Sequence, residues 1–144
     1  MTPASDNALS RRIEVCAEAV IAFQDCDPMG VLWHGRYAEY FELARVALME
    51  ELDYGYAQMA DSGYTWPVID YRVRYLKPLC FGRRVIVKTW IVEWQFRLKL
   101  AYLISDANSG EALTRGHTVQ AAVRQNTGEL QMATPPILRQ RLGL

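Results

Sequence analysis

The chain has 144 residues, of which 51% are hydrophobic and 22% are charged, a balance typical of one globular domain with a substantial core. Lys and Arg together number 16, as do Asp and Glu, so the formal net charge is zero and no global field attracts nucleic acid or an anionic membrane. No window contains the roughly 18 apolar residues of a membrane span, and the polar residues 1–12 lack the apolar core of a signal peptide. We therefore expect a cytoplasmic protein without a membrane or nucleic-acid partner.

The first predicted elements are a strand and a long helix. Residues 13–23 are rich in apolar and β-branched side chains, which favours a strand. Over residues 36–54, apolar side chains recur at three- and four-residue spacing, which predicts a helix ending near Gly55. One apolar face comprises Tyr37, Tyr40, Phe41, Ala44, Ala47, Leu48 and Leu52, and a second stripe comprises Leu43, Val46 and Met49. Such a helix is covered on more than one side, as when a sheet wraps around it.

Four further strands are predicted after Pro67, where the apolar residues begin to alternate. They cover residues 69–75, 84–94, 98–104 and 111–124. The connector over 56–66 is expected to hold one helical turn, and turns are predicted at 81–82, 106–110 and 126–128. Since short connections imply antiparallel neighbours, consecutive strands are predicted to pair beside one central helix, an α+β architecture.

The predicted boundaries divide the chain into three parts. Residues 1–12 form a lead-in, residues 13–134 a single domain, and residues 135–144 a tail, because Pro135-Pro136 is expected to end regular structure. We find no internal repeat and no low-complexity segment.

The three cysteines argue against a metal site or a disulfide framework. Cys16, Cys26 and Cys80 form no CxxC pair and are odd in number. Cys26 lies between two aspartates, whose charges raise the pKa of a thiol, so it is interpreted as a small filling residue rather than a nucleophile.

The stretch from Phe23 to Tyr37 is the strongest candidate for chemistry. Asp25 and Asp27 precede a Pro-Met-Gly turn, and His34 opens the predicted helix. A carboxylate is thereby expected beside a helix N-terminus, where free N–H groups can hold a developing negative charge. That combination suggests acyl chemistry.

This stretch also carries a family resemblance. It contains the pattern Asp25-x-Asp27-x-x-Gly30-Val31-x-x-His34-x-x-Tyr37. The pattern resembles the signature of the hot-dog-fold acyl-CoA thioesterases, the 4-hydroxybenzoyl-CoA thioesterase and YbgC-like group, and the resemblance extends from about residue 13 to residue 123. It implies a hot-dog fold, a thioester of CoA or acyl-carrier protein as substrate, and no metal or redox cofactor.

The resemblance implies that Asp27 is the catalytic residue. A carboxylate can attack a thioester carbonyl to form an anhydride, or can deprotonate the attacking water, and the sequence leaves both routes open. Without the motif, a residue that caps the following turn would be the simpler interpretation of Asp27. Asp25 is interpreted as structural, accepting backbone hydrogen bonds around the turn.

His34 matches the family position whose backbone amide binds the thioester oxygen, a role that any side chain permits. For its imidazole two interpretations stay open, an orienting or proton-transferring group and a structural histidine at the helix start. The second histidine, His117, is interpreted as structural because it lies in the middle of a strand.

The remaining candidates concern the binding of the substrate. Gly30, Val31, Trp33 and Tyr37 are predicted to border it, Tyr37 through packing rather than chemistry. Tyr64 and Trp66 are further aromatic candidates, with Trp33, for an acyl pocket.

Arg97 and Lys99 are predicted to bind the phosphates of CoA. They lie two residues apart in a strand and project from one face. They follow a Glu-Trp pair that resembles the segment before the basic CoA contacts of the family, although Gln95 and Phe96 intervene here. A solvated strand face is the alternative interpretation.

The sequence lacks a GxSxG elbow, a P-loop, a Rossmann glycine pattern and an HExxH motif. An acyl thioesterase is therefore the preferred hypothesis, with a hot-dog dehydratase or hydratase and a non-catalytic acyl-thioester-binding protein as alternatives. Large apolar residues occupy both faces of the strand at 84–94, and one helix covers only one face. We therefore expect a homodimer or homotetramer with the site completed across the interface.

Overall fold

A computed structural model describes residues 13–144 of the chain; the predicted lead-in over 1–12 lies outside them. The strands are β1 (Glu14–Val20), β2 (Tyr64–Thr65), β3 (Val68–Tyr75), β4 (Arg84–Glu93), β5 (Leu98–Asp106), β6 (Ala112–Gln120) and β7 (Val123–Arg124). The helices are α1 (Tyr37–Glu51), α2 (Tyr56–Ser62) and α3 (Pro136–Arg141), and short 3₁₀ turns cover Phe23–Asp25 and His34–Arg36.

The main sheet has five strands in the order β1-β4-β5-β6-β3, and every neighbouring pair is antiparallel. Helix α1 packs on its inner face, where alternate residues of each central strand are buried. The Phe41 ring of α1 stacks on the Tyr102 ring of β5 with centroids 4.3 Å apart. The predicted α+β architecture, an antiparallel sheet around one long helix, is confirmed.

The predicted pairing of consecutive strands is wrong for β3 and β4. β3 pairs with β6 at one edge of the sheet, whereas β4 lies between β1 and β5. The chain between them crosses the end of the sheet instead of forming a hairpin. Its N–H groups donate to other segments, Lys77 to the Leu113 carbonyl at 3.0 Å and Phe81 to the Gly30 carbonyl at 2.9 Å. A short connection therefore did not imply neighbouring strands here.

Two further boundaries differ from the prediction. The last long strand breaks after Gln120, and β7 leaves the sheet to pair with β2. Regular structure does not end at Pro135-Pro136, because Pro136 begins α3 and the Leu138 side chain is fully buried in the core. Proline is favourable in the first helical turn, where its missing N–H would have no partner. The helix predicted in the connector is confirmed as α2.

The edge strand β3 carries unusually exposed apolar residues. The exposed fractions are 57% for Ile69, 40% for Tyr71 and 53% for Tyr75. Among residues 13–144, no helix is long and apolar enough to cross a membrane.

Candidate active site

The motif turn positions Asp27 through a network of short backbone bonds. The Asp27 N–H donates to the Val31 carbonyl and the Gly30 N–H to the Asp27 carbonyl, both at 2.9 Å. Gly30 has φ 79°, a left-handed conformation that favours glycine. The half-buried Asp27 carboxylate accepts the Met29 N–H at 2.8 Å on Oδ1. Oδ2 accepts no hydrogen bond from the described part of the chain, so one oxygen shapes the turn and the other is available.

The turn is fixed to the segment that joins β3 to β4. The Phe81 N–H donates to the Gly30 carbonyl, and the Leu32 N–H donates to the Leu79 carbonyl at 2.8 Å. Val31 also forms an isolated bridge with Cys80. The Trp33 N–H donates to the Asp25 carbonyl at 3.0 Å. These bonds hold the residues between Asp27 and the helix start in one conformation.

Asp25 has structural contacts. Its Oδ2 accepts the Tyr40 hydroxyl at 2.7 Å, and that hydroxyl accepts the Ala22 N–H at 3.1 Å. Burial raises the pKa of Tyr40 to about 12, so the phenol remains a donor at neutral pH. The motif is thereby tied to the first full turn of α1.

The helix start presents free backbone donors. Trp33 has extended backbone angles and precedes the 3₁₀ turn that leads into α1. The N–H groups of His34 and Gly35 donate to no acceptor among residues 13–144. The exposed His34 ring lies against the Trp33 ring, with centroids 5.0 Å apart. Such free N–H groups are suited to an oxygen that gains negative charge.

Gly35 is a site residue that the motif analysis did not single out. A Cβ atom on Gly35 would lie 2.3 Å from the Trp33 ring. Only glycine therefore allows the indole to pack over the helix start. In the sequence, the indication of this contact was that Trp33 and Gly35 lie only two residues apart.

A cleft of about 280 Å³ lies beside the motif. Two predicted residues line it, Val31 and Tyr37, together with Tyr75 and Lys77, which were not predicted. The Tyr37 and Tyr75 rings meet edge to face at 4.9 Å. Burial, reinforced by Tyr75, raises the pKa of Tyr37 to about 12, which suits the predicted packing role.

The predicted phosphate-binding residues lie elsewhere. Arg97 forms an ion pair with Glu93 at 2.6 Å and is about half exposed. Lys99 alternates with the buried Leu98 and Leu100 and therefore lies on the outer face of the sheet. Neither residue lines the cleft, and their binding of CoA stays a prediction.

Two residues interpreted as structural have local partners. The His117 Nε2 lies 3.4 Å from the Asp70 Oδ2 on the neighbouring strand. Burial, then the charges of Asp25 and Asp27, raises the pKa of Cys26, and its thiol donates to the Ala22 carbonyl at 3.4 Å. Within the described residues, no group of His, Cys, Asp and Glu side chains is arranged to hold a metal ion.

A second, larger cavity of about 420 Å³ lies between the middle of α1, α2 and the segment from β2 to the start of β3. Tyr64 and Trp66, two predicted candidates for an acyl pocket, line this cavity, whereas Trp33 does not. Its polar lining includes Arg45 and Gln120, which were not predicted. A lone polar residue in a strand gives no signal that it faces a cavity.

Comparison with known proteins identifies the family. The sequence model of the family described as the thioesterase-like superfamily matches residues 21–142. This range includes the motif turn, α1 and every strand of the main sheet except β1. The chain therefore belongs to the thioesterase-like superfamily, and the predicted resemblance to hot-dog thioesterases is confirmed.

Individual relatives agree with this family. YneP of Bacillus subtilis (strain 168), by name a candidate acyl-CoA thioesterase, is 34% identical over 77 residues, which are 54% of this chain and 56% of YneP. The match thus spans little more than half the length of that relative. A DHNA-CoA thioesterase from Staphylococcus aureus is 32% identical, with a TM-score of 0.76 over 83% of this chain and 80% of that chain.

A hypothetical protein from Thermus thermophilus is 26% identical, with a TM-score of 0.78 over 90% of this chain and 97% of that chain. The names of the first two relatives agree with the predicted class of enzyme, a thioester hydrolase.

Proposed function

We propose that the protein hydrolyses the thioester of an acyl-CoA, or of a related acyl-carrier protein, to a free acid and a thiol. The observation that carries this proposal is a pairing of groups on one hydrogen-bonded segment. Within residues 13–144, one carboxylate oxygen of Asp27 accepts no hydrogen bond, and the N–H groups of His34 and Gly35, at the start of the helical turn before α1, donate none. One group can act on the carbonyl carbon or on water, and the other can hold the carbonyl oxygen.

The reaction needs no redox step. Water adds to the carbonyl carbon, the carbon–sulfur bond breaks, and the proton released by water reaches the thiolate. Asp27 serves either as the general base for that water or as a nucleophile that forms an anhydride, which water then cleaves. The His34 and Gly35 N–H groups stabilise the tetrahedral oxyanion in either route.

We propose that the protein assembles as a homodimer joined through β3. If the outer face of the sheet is also covered, two such dimers form a tetramer. β3 is an edge strand with exposed Ile69, Tyr71 and Tyr75, and such an edge favours pairing with another strand. If two copies pair antiparallel about a two-fold axis, the Tyr75 end of one β3 meets the Val68 end of the other. The cleft at the motif of one subunit then adjoins the large cavity of its partner, because those strand ends line them.

A thiol-release assay tests the proposed activity. Aromatic and aliphatic acyl-CoAs and acylated carrier protein are supplied in turn, and free thiol is measured. We expect turnover of at least one thioester that saturates with substrate concentration. Hydration of an enoyl-CoA without thiol release would indicate a hydratase instead, and saturable binding without turnover would indicate a binding protein.

A further inference from the structure

The outer face of the sheet carries three exposed arginines close together. Arg72 and Arg74 lie two residues apart on β3, and they are paired with His117 and Arg115 of β6, so all four side chains project from the same face. A Cβ atom on Gly116, between Arg115 and His117, would lie 2.6 Å from a ring of α1. The arginines are therefore on the face away from α1. We call Arg72, Arg74 and Arg115 the arginine patch.

Neighbouring side chains do not balance the charge of the arginine patch. None of its three guanidinium groups forms an ion pair or a hydrogen bond with residues 13–144. The single carboxylate of β3 belongs to Asp70, and its Oδ2 lies 3.4 Å from the Nε2 of His117. Arg74 and Arg115 are directly opposite each other, an arrangement that destabilises a sheet. The patch therefore favours a negatively charged partner.

The shape of the arginine patch suits a protein surface. Small ligands bind in concave pockets, whereas the patch consists of exposed side chains on two adjacent strands and lines neither the motif cleft nor the large cavity. Arginine is enriched at interfaces between proteins. The zero net charge of the chain provides no general attraction for a membrane or a nucleic acid. A protein with several carboxylates on its surface is therefore the better match.

The arginine patch is close to the proposed active site. Arg74 directly precedes Tyr75, which lines the motif cleft with Lys77. Among the residues that line this cleft in the described chain, Lys77 is the one with a positive charge, and it forms an ion pair with Glu111. The cleft thus has no uncompensated cation, and the nearby patch has three. A partner bound at the patch would hold a thioester arm near the end of β3, where the cleft begins.

We propose that the arginine patch docks the acidic surface of an acyl-carrier protein, whose thiol arm reaches the motif cleft around the end of β3. This inference rests on the proposed thioesterase function and names the carrier-protein thioester as the preferred substrate. The outer face of β4 carries the half-buried Ile86 and Trp90, and β5 separates it from β6. Contact between two dimers over β4 therefore leaves the patch accessible.

A triple variant tests the docking. It combines Arg72→Gln, Arg74→Gln and Arg115→Gln, and thiol release gives kcat/KM for octanoyl and benzoyl groups carried by acyl-carrier protein and by CoA. For the carrier-protein thioesters, kcat/KM should fall by about 10-fold or more, mainly through a higher KM, because interface charges act on association. For the CoA thioesters the change should stay below about two-fold. In the unaltered protein, the KM for carrier-protein thioesters should rise with salt, and the triple variant should lose most of that rise.

Binding of the apo carrier protein, which lacks the thiol arm, tests the docking without turnover. The triple variant should bind it at least about 10-fold more weakly than the unaltered protein does. Arg141→Gln is the matched control, since Arg141 is exposed on α3 and has no ion pair within residues 13–144; it should bind normally. Because Arg74 and Arg115 repel each other, the triple variant should melt no lower than the unaltered protein. Arg115→Gln alone should weaken binding by about three-fold and provides the same test if the triple variant does not fold.

The outcomes distinguish this inference from the proposed function. Unchanged binding of the apo carrier protein by the triple variant, with equal losses of kcat/KM for both carriers, would overturn the inference and leave the thioesterase function standing. Patch-dependent binding to phosphatidylglycerol vesicles without binding of the carrier protein would overturn it in favour of a membrane surface. Absence of thiol release from every thioester would overturn the thioesterase function, whereas patch-dependent binding of the apo carrier protein would still support the docking surface.

Discussion

Asp27 and Asp25 are two residues apart but have different surroundings. Asp27 retains an oxygen without a partner in the described chain, whereas the Asp25 carboxylate accepts the Tyr40 hydroxyl. The Asp27→Asn variant should fold normally and lose at least about 100-fold in kcat, because an amide is neither a base nor a nucleophile. Thiol release and thermal unfolding, measured on the same preparations, check both statements.

Asp25→Asn is the matched control for this prediction. It weakens a charge-assisted hydrogen bond to Tyr40, so it should lower the free energy of unfolding by about 1 kcal/mol and change kcat less than Asp27→Asn does. Near-normal turnover by folded Asp27→Asn would remove Asp27 from the mechanism.

Gly35 gives a second prediction at the scale of single residues. Because a Cβ atom would lie 2.3 Å from the Trp33 ring, Gly35→Ala should displace the ring or the helix start and reduce kcat. Gly55→Ala is the control, since its nearest contact would be the flexible Gln58 side chain at 3.3 Å. Replacing Trp33 by Ala together with Gly35→Ala removes the overlap and should restore part of the lost stability. Unchanged activity and melting temperature in Gly35→Ala would contradict this account.

Gln120 and Asp27 illustrate what the sequence could reveal about individual residues. Asp27 was predictable because its neighbours, a proline and a glycine that must adopt φ 79°, determine the turn locally. The burial of Gln120 was not predictable, because its amide donates to the carbonyl of Trp66, which lies 54 residues away in the chain. The local turn was therefore accessible to sequence reasoning, whereas a cavity wall assembled from distant segments was not.

At the scale of elements, the hairpin between β5 and β6 depends on one carboxylate. Asp106 accepts the Ser109 and Asn108 N–H groups and the Arg83 guanidinium, and these bonds lower its pKa to about 2. Since its pKa is higher in the unfolded chain, about 3.9, the carboxylate adds stability above pH 4 that is lost as the pH falls toward 2.

Asp106→Asn should therefore melt at a lower temperature than the unaltered protein at pH 7, and the difference should shrink between pH 4 and pH 2. Asp61→Asn, an exposed change in α2, is the control and should show no such pH dependence. Equal melting temperatures at pH 7 would mean that Asp106 does not stabilise the hairpin.

The order of the strands in the sheet was not predictable from the sequence pattern of the elements. The alternation of apolar and polar residues predicted which segments form strands, because it reflects the burial of one face of the sheet. It did not predict that β3 and β4 separate, because the chain between them bonds to the motif turn and to β6. Non-local bonds of this kind are not visible in the alternating pattern.

Arg97, which immediately precedes β5, and Lys99 on the outer face of β5 give the next prediction. If Arg97 and Lys99 bind CoA phosphates, changing both to Ala should raise KM with a smaller effect on kcat, because contacts far from the carbonyl bind substrate and transition state alike. The KM of the unaltered protein should also rise with salt. Changing Arg84 and Lys88 of β4 to Ala, which removes ion pairs with Glu18 and Glu14, is the control. An unchanged KM would exclude Arg97 and Lys99 from the site.

At the scale of the whole molecule, the two edges of the sheet differ in what they do to the site. β3 borders both the motif cleft and the large cavity, whereas β1 at the opposite edge borders neither. Pairing through β3 would complete two sites at once, while pairing through β1 would complete none. The proposed assembly and the proposed activity are therefore coupled.

Ile69→Lys tests this coupling, because a lysine on an edge strand opposes pairing with another strand. We expect a monomer by light scattering at micromolar concentration, with most thioesterase activity lost and the secondary structure retained. Val20→Lys is the matched control, since Val20 is 56% exposed on β1 and Ile69 is 57% exposed on β3. It should remain a dimer with normal turnover. A fully active Ile69→Lys monomer would show that one chain contains the complete site, and an active dimer would show that the subunits meet elsewhere.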